Sequence, residues 1–201
     1  QERAENRAFG EARGAEIAYE SLAPVYDEFT YHHNYALWLD NLLPKVEAHG
    51  LRKGCLLDVG CGTGKSFMPM LERGWEVTGC DISPRMLEVA RAKVGDRAKL
   101  VLADMRELPK LGEFDLVMCP GDAMNYLLSL EELEAALRGM AANLKPRGLI
   151  LFDADTVNAH RTFWSETTVI ERGGMRMIWR GLTDPKIEPG KFIVTISKRG
   201  Q

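Results

Sequence analysis

Cysteine is scarce in this chain, and the few present follow no pairing pattern. Cys55, Cys61, Cys80 and Cys119 are the only four in 201 residues, and no Cys-x-x-Cys occurs. Neither a disulfide framework nor a zinc spacing is present, so four reduced and mostly buried thiols are expected. Histidine is as sparse. His32 and His33 are adjacent, and His49 and His160 stand alone, which gives no metal-ligand spacing and an expectation of no metal. No apolar run approaches the roughly 20 residues needed to cross a bilayer. The stretch Gln1 to Arg7 is charged and has no apolar signal core. These absences predict a cytoplasmic protein with no membrane partner. Neither sign of charge dominates: 26 Lys and Arg face 29 Asp and Glu, a net charge of −3. With no long basic run, nothing calls for a nucleic acid partner.

What is present is ordinary for one globular domain. The chain is 45% apolar and 27% charged, and it is long enough for a full core. Residues 15 to 50 read as helical. Leu22, Val25, Tyr26 and Phe29 share one face, and Leu39, Leu42, Leu43 and Val46 continue at helical spacing. An alternating rhythm follows. Strands are expected at Cys55–Val59, Glu76–Cys80, Ala98–Ala103, Phe114–Cys119 and Leu149–Phe152, with helices between them. Ser83 with Pro84 marks one helix start, and the Ser129-x-x-Glu132 capping box marks another. Strands alternating with helices predict a doubly wound α/β fold on a mostly parallel sheet. After Asp155 the rhythm changes. Thr167–Glu171, Met175–Leu182 and Phe192–Ser197 read as an appended antiparallel meander, punctuated by Gly173-Gly174 and Pro189-Gly190. The expected organisation is an N-terminal helical cap over 1–50, a core over 51–155 and the meander over 156–201.

The strongest local signal is Asp58-Val59-Gly60-Cys61-Gly62-Thr63-Gly64, running from a buried strand into a helix. Alternating glycines suit a sharp turn on which a ligand lies directly. Gly64-Lys65-Ser66 imitates the tail of a phosphate loop, but Val59 stands where its first glycine belongs. Gly60 and Gly62 begin a dinucleotide fingerprint, but Lys65 stands where its third glycine belongs. Asp81 closes the second strand, 21 residues after Gly60, where a carboxylate can accept hydrogen bonds from both hydroxyls of a ribose. Taken alone, it reads better as a helix-capping or turn residue before Ser83-Pro84.

In this order, the Asp-x-Gly-x-Gly-x-Gly loop, Asp81, Asp104 after the third strand, Phe114–Cys119 and Leu144–Leu151 resemble the class I S-adenosylmethionine-dependent methyltransferases with a Rossmann-like fold. The N-terminal run Tyr19-x-x-x-Ala23-x-x-Tyr26-Asp27, followed by Tyr35, Trp38 and Asp122–Leu127, is similar to the small-molecule members of that family. The resemblance implies S-adenosylmethionine as cofactor and S-adenosylhomocysteine as product. It implies that Gly60, Cys61, Gly62 and Gly64 hold the methionine end, with Asp58 near its ammonium. It puts Asp81 on the ribose, Asp104 and Met105 at the adenine edge, and Ile82 and Met86 on the adenine faces. Cys119 and Pro120 border the site from the fourth strand. Tyr19, Tyr26 and Trp38 would cover it and face the sulfonium, since aromatic rings attract a cation; for Trp38, plain helix packing is an equal alternative.

The activity implied is methyl transfer to a nitrogen or oxygen of a small molecule. The alternatives are a nicotinamide-dependent oxidoreductase, which Lys65 and Asp104 disfavour, and a non-catalytic S-adenosylmethionine-binding module. His32, Tyr35, Asp122, Tyr126 and Trp179 are the candidate acceptor residues, with His32, His33, Asp122 and His160 as candidate bases. The meander, with Phe163, Trp164, Met175, Met177, Trp179 and Phe192, is expected to form part of the acceptor site or a homodimer contact, or to fill its own small core. Family members continue with another helix and two strands after such an insertion, so the fold is expected to lack its C-terminal part here.

Overall fold

Five parallel strands stand side by side at the centre of the molecule in the order β3-β2-β1-β4-β5. They are β1 (Cys55–Val59), β2 (Glu76–Asp81), β3 (Ala98–Leu102), β4 (Phe114–Cys119) and β5 (Leu144–Phe152). The computed structural model describes residues 19–156, 167–181 and 192–198. Helices α1 (Tyr26–Phe29), α2 (Tyr35–Ala48), α3 (Met68–Glu72), α4 (Pro84–Val94) and α5 (Leu130–Ala142) accompany the sheet. The doubly wound α/β fold expected from the alternating rhythm is therefore the fold observed.

Side-chain alternation along the strands divides the core into two layers. Leu56 of β1 and Leu116 and Met118 of β4 face Leu39 and Val46 of α2 and Phe67 and Met70 near α3. Leu57, Val59, Val117 and Cys119, one residue out of phase, face Ala136 and Met140 of α5. Central strands buried on both faces explain the near-continuous apolar runs in the sequence.

Two of the helix starts lie where the sequence places them. The Ser83 side chain accepts from the Met86 amide with Pro84 in the first turn of α4, and the Ser129 side chain accepts from the Glu132 amide at the start of α5. Glu132 reaches back to the Leu128 amide at 2.7 Å. Other boundaries differ. The helical segment expected over 15–50 is broken at 23–25 and again at 30–34. Pro24 has no N–H with which to carry a helix through 23–25, and Asn34 starts α2 afresh by capping the Leu37 amide. Strand β5 begins at Leu144 rather than Leu149. Lys145-Pro146-Arg147-Gly148, read as a turn, is instead an irregularity in the β4–β5 pairing, with Arg147 at φ 68°.

The three late strands β6 (Thr167–Arg172), β7 (Met175–Gly181) and β8 (Phe192–Lys198) form a separate antiparallel sheet with β7 in the middle. Arg172 joins it to the N-terminal segment, pairing with Glu28 at 2.9 Å and lying 4.4 Å over the Tyr31 ring. Phe163 and Trp164 lie outside the described residues. None of the described helices is long and apolar enough to cross a membrane.

Candidate active site

A cleft opens at the C-terminal ends of the strands, where strand order reverses between β1 and β4 and where ligands of such sheets bind. The glycine loop forms its floor. The amides of Gly60 and Cys61 both donate to the Cys80 carbonyl, at 2.8 and 2.9 Å, which draws the loop tightly from β1 over β2. Gly62 adopts φ 51°, and a Cβ there would meet nothing within 4 Å, so its requirement is the left-handed turn and an open face. Gly64 has a different reason. At φ 80° its missing Cβ leaves room for Phe67, whose ring would lie 2.8 Å from it. Gly64 therefore shapes the loop from below and does not line the cleft.

Asp81 is held by its own backbone surroundings. Its Oδ2 accepts from the Gly62 amide at 2.7 Å and its Oδ1 from the Ser83 amide at 2.9 Å. Burial pushes its carboxyl above the ordinary value, against the pull of those amides. Each oxygen keeps a lone pair for a further donor. On the far wall, Asp104 caps the Arg106 amide and receives the Arg106 guanidinium on both oxygens, with Nε at 2.9 and 3.0 Å. Burial opposes its charge, and the Arg106 hydrogen bonds and charge outweigh that, holding the Asp104 carboxyl below its usual range.

Four tyrosines close the cleft from above. The Tyr19 and Tyr126 hydroxyls lie 2.6 Å apart, and the Tyr19 ring meets Tyr26 and Tyr126 edge-on at 6.0 and 5.5 Å. Tyr35 stands over Gly121, where a Cβ would come within 2.6 Å of its hydroxyl. Burial raises all four hydroxyls, so they stand as neutral groups at ordinary pH. The N-terminal segment that carries Tyr19 and Tyr26 is tied down by its acids. Glu20 accepts from the Ser83 hydroxyl and the Arg85 amide, while Asp27 accepts from Thr63 Oγ1 at 2.6 Å and pairs with Lys93. Lys65 donates to the Thr30 carbonyl from the loop side.

The structure brings most of the sequence-chosen residues together. Tyr19, Tyr26, Gly60, Cys61, Gly62, Asp81, Ile82, Met86, Asp104, Met105 and Pro120 all line the cleft, as do Tyr35 and Tyr126 from the acceptor set. Others lie elsewhere. Trp38, on α2, packs on the core, the packing alternative rather than a cover. Asp58 and Cys119 are fully buried beneath the cleft. His32 is exposed and stacks edge-on with Tyr31 and His33. Asp122 stands at φ 62° next to the lining residue Gly121, and Trp179 pairs with Thr168 and Val194 in the antiparallel sheet. None of these three is a lining residue, and neither is His33. His160 lies outside the described residues. Thr63, Lys65, Ser66 and Arg106, to which the sequence motifs do not point, also line the cleft. Lys65 and Ser66 directly follow the glycine motif, and that adjacency was the available signal. Among the described residues no group of His, Cys, Asp and Glu is arranged to hold a metal.

Residues 56–148 match the family model for a methyltransferase domain. The chain is 37% identical over 140 residues to YqeM of Bacillus subtilis, a methyltransferase by name, covering 68% of this chain and 55% of that one. It is 32% identical over 123 residues to the dTDP-3-amino-3,6-dideoxy-alpha-D-glucopyranose N,N-dimethyltransferase of Streptomyces fradiae, covering 61% of this chain and 46% of that one. The chain thus spans about half the length of these curated relatives. In fold it is similar to an S-adenosylmethionine-dependent methyltransferase from Clostridium acetobutylicum, with a TM-score of 0.72, 20% identity, and coverage of 90% of this chain and 82% of the other. These matches displace the nicotinamide alternative. Residues 56–148, which carry the glycine loop, Asp81 and Asp104, therefore form a methyltransferase domain, and the matches together support a class I S-adenosylmethionine-dependent methyltransferase.

Proposed function

We propose that this chain is an enzyme that binds S-adenosylmethionine in the cleft and transfers its methyl group to a nitrogen of a small molecule. The observation that carries the reading is the convergence on one cleft of the glycine loop, Asp81 and the four tyrosines. The residues fit the cofactor on the structure's own terms. Gly62 leaves open space above the loop, Asp81 has lone pairs to spare, and Asp58 holds a buried oxygen without a partner beneath the floor. When bound, S-adenosylmethionine supplies a methyl group on a sulfonium that is already an excellent leaving group.

What remains for the protein is positioning and desolvation. Asp81 would orient the ribose, Ile82 and Met86 would enclose the adenine, and Asp104, fixed by Arg106, would meet its edge. The tyrosine faces would stabilise positive charge and exclude water from the methyl path. An amine acceptor arriving neutral needs only a proton acceptor after transfer, whereas a hydroxyl needs a true base. The nitrogen choice also draws on the relative from Streptomyces fradiae, which is named as an N,N-dimethyltransferase. The antiparallel sheet, tied through Arg172 to the segment bearing Tyr19 and Tyr26, would help select the acceptor or form a homodimer contact. A cytoplasmic setting suits such a reaction. Calorimetry tests the cofactor: S-adenosylhomocysteine should bind one per chain and NAD should not. NAD binding without any response to S-adenosylhomocysteine would sink the assignment, and turnover of none of a panel of amine acceptors would reduce the chain to a binding module.

A further inference from the structure

Asp58 is a fully buried acid two residues before Gly60. Its side chain is wholly enclosed at the end of β1. Oδ2 accepts from the Ser66 hydroxyl at 2.5 Å, while Oδ1 is buried with no hydrogen-bond partner. The ionisable groups facing it are Cys80 and Asp81 from β2, Cys119 from β4, Cys61 from the glycine loop and Tyr35 from α2. Not one of them can carry positive charge. Burial pushes the Asp58 carboxyl up to about 8, the Ser66 bond pulls it down and Asp81 adds to the rise. Ser66 is the outward link, because it lines the cleft while its hydroxyl rests on Asp58.

We propose that Asp58 and Ser66 act together as a proton-linked charge sensor under the cleft, Asp58 releasing its proton when a ligand ammonium settles beside the glycine loop. The inference rests on the cofactor reading above. Only one bond changes: the carboxyl O–H breaks, its proton passes to the buffer, and the carboxylate stays with the Ser66 hydroxyl still donating to Oδ2. Ser66 is then a positioning residue, since it touches the cleft and sets the carboxylate's orientation. An arriving cation stabilises the ionised form, so binding must strengthen as pH rises toward the free carboxyl's own midpoint.

Calorimetry in two buffers of different ionisation enthalpy counts the protons. S-adenosylhomocysteine binding at pH 7 should release close to one proton per chain, and its affinity should rise by up to about tenfold per pH unit between pH 6 and 8. 5′-Methylthioadenosine, which keeps the adenosine and sulfur but lacks the ammonium, should bind with no release. Asp58→Asn, nearly isosteric, should bind S-adenosylhomocysteine with no release and a flat pH profile. Ser66→Ala should still fold but move the rise in affinity to higher pH. Release that persists in Asp58→Asn, or that is equal with methylthioadenosine, would overturn the inference and place the linkage on Asp81. Binding without release overturns it alone, whereas no binding at all overturns the cofactor reading with it.

Discussion

Asp81 shows how one carboxylate can serve the scaffold and still be available to a ligand. It takes one amide from the glycine loop and one from the start of α4, so it joins the two pieces of backbone nearest the cleft. Hydrogen bonds to a charged acceptor contribute roughly 1.5–3 kcal/mol each. Asp81→Ala should therefore weaken S-adenosylhomocysteine binding by about tenfold or more, measured by calorimetry on protein shown to be folded by circular dichroism. Unchanged affinity would leave Asp81 as a turn residue only. Asn143 is a purely structural counterpart. Fully buried, it accepts from the Leu111 and Gly112 amides and donates to the Pro109 and Gly139 carbonyls. Removing it takes a partner from two amides and two carbonyls in partly buried surroundings, and an enclosed group left unpaired costs about 1–3 kcal/mol. Asn143→Ala should cost about 3 kcal/mol or more in urea unfolding, and a loss under 1 kcal/mol would contradict that account.

Among the elements, the N-terminal segment is held to the cleft by polar contacts rather than by a deep apolar face. Asp27 is the centre of that attachment, reaching Thr63 in the glycine loop and Lys93 in α4. The Lys93 pair is partly exposed and adds little, on the order of 1 kcal/mol or less. The bond from Thr63 is the stronger contact because its acceptor is charged. Asp27→Ala should lower overall stability by about 1–3 kcal/mol, mostly through the lost Thr63 bond, and it should speed hydrogen exchange in the amides of the glycine loop and weaken ligand affinity. Exchange rates unchanged from the parent would show that the segment is held by Phe29 and Ala23 alone. The antiparallel sheet reaches the same segment through Arg172. Trp179→Ala should change acceptor KM or dimer dissociation while cofactor affinity stays constant. Lower stability with unaltered selectivity and oligomeric state would mean that Trp179 only packs its own sheet.

Across the whole molecule, burying an acid without a cation has a consequence for stability. The folded state holds the Asp58 proton up to about pH 8, whereas the unfolded chain loses it near the ordinary value of 3.8. Between those values the folded state binds more protons, so this group's contribution to stability falls as pH rises, by at most about 1.4 kcal/mol per unit. Asp81, also raised, acts in the same direction. Urea midpoints should thus decline from pH 5 to pH 8 more steeply in the parent than in Asp58→Asn. Parallel declines would show that Asp58 is already ionised in the folded protein. The cost of such a group is tolerable because it sits where the ligand's positive charge is expected to arrive, and where strain and poor solvation commonly gather.

The order of strands and helices, the glycine loop, Asp81 and the capping residues Ser83 and Ser129 were legible in the sequence because each rests on local chemistry: period-two burial, a left-handed turn, a side-chain acceptor for free amides. The tyrosine run at the N-terminus was legible only through family resemblance, since helical spacing alone does not tell a cleft wall from a core face. Trp38 shows that limit, a residue of the same run whose ring packs inward on the core. The breaks at 23–25 and 30–34 rest on Pro24 and the Asn34 cap, local signals that the apolar helical spacing masked, whereas the early start of β5 depends on what the backbone meets across space, which no window of sequence contains. The same holds for the bond from Thr63 to Asp27 36 residues earlier and for the stranded oxygen of Asp58. Local sequence decides which residues turn, cap and alternate; only the packed structure decides which of them face one another, because enclosure and charge are properties of neighbours brought from distant parts of the chain.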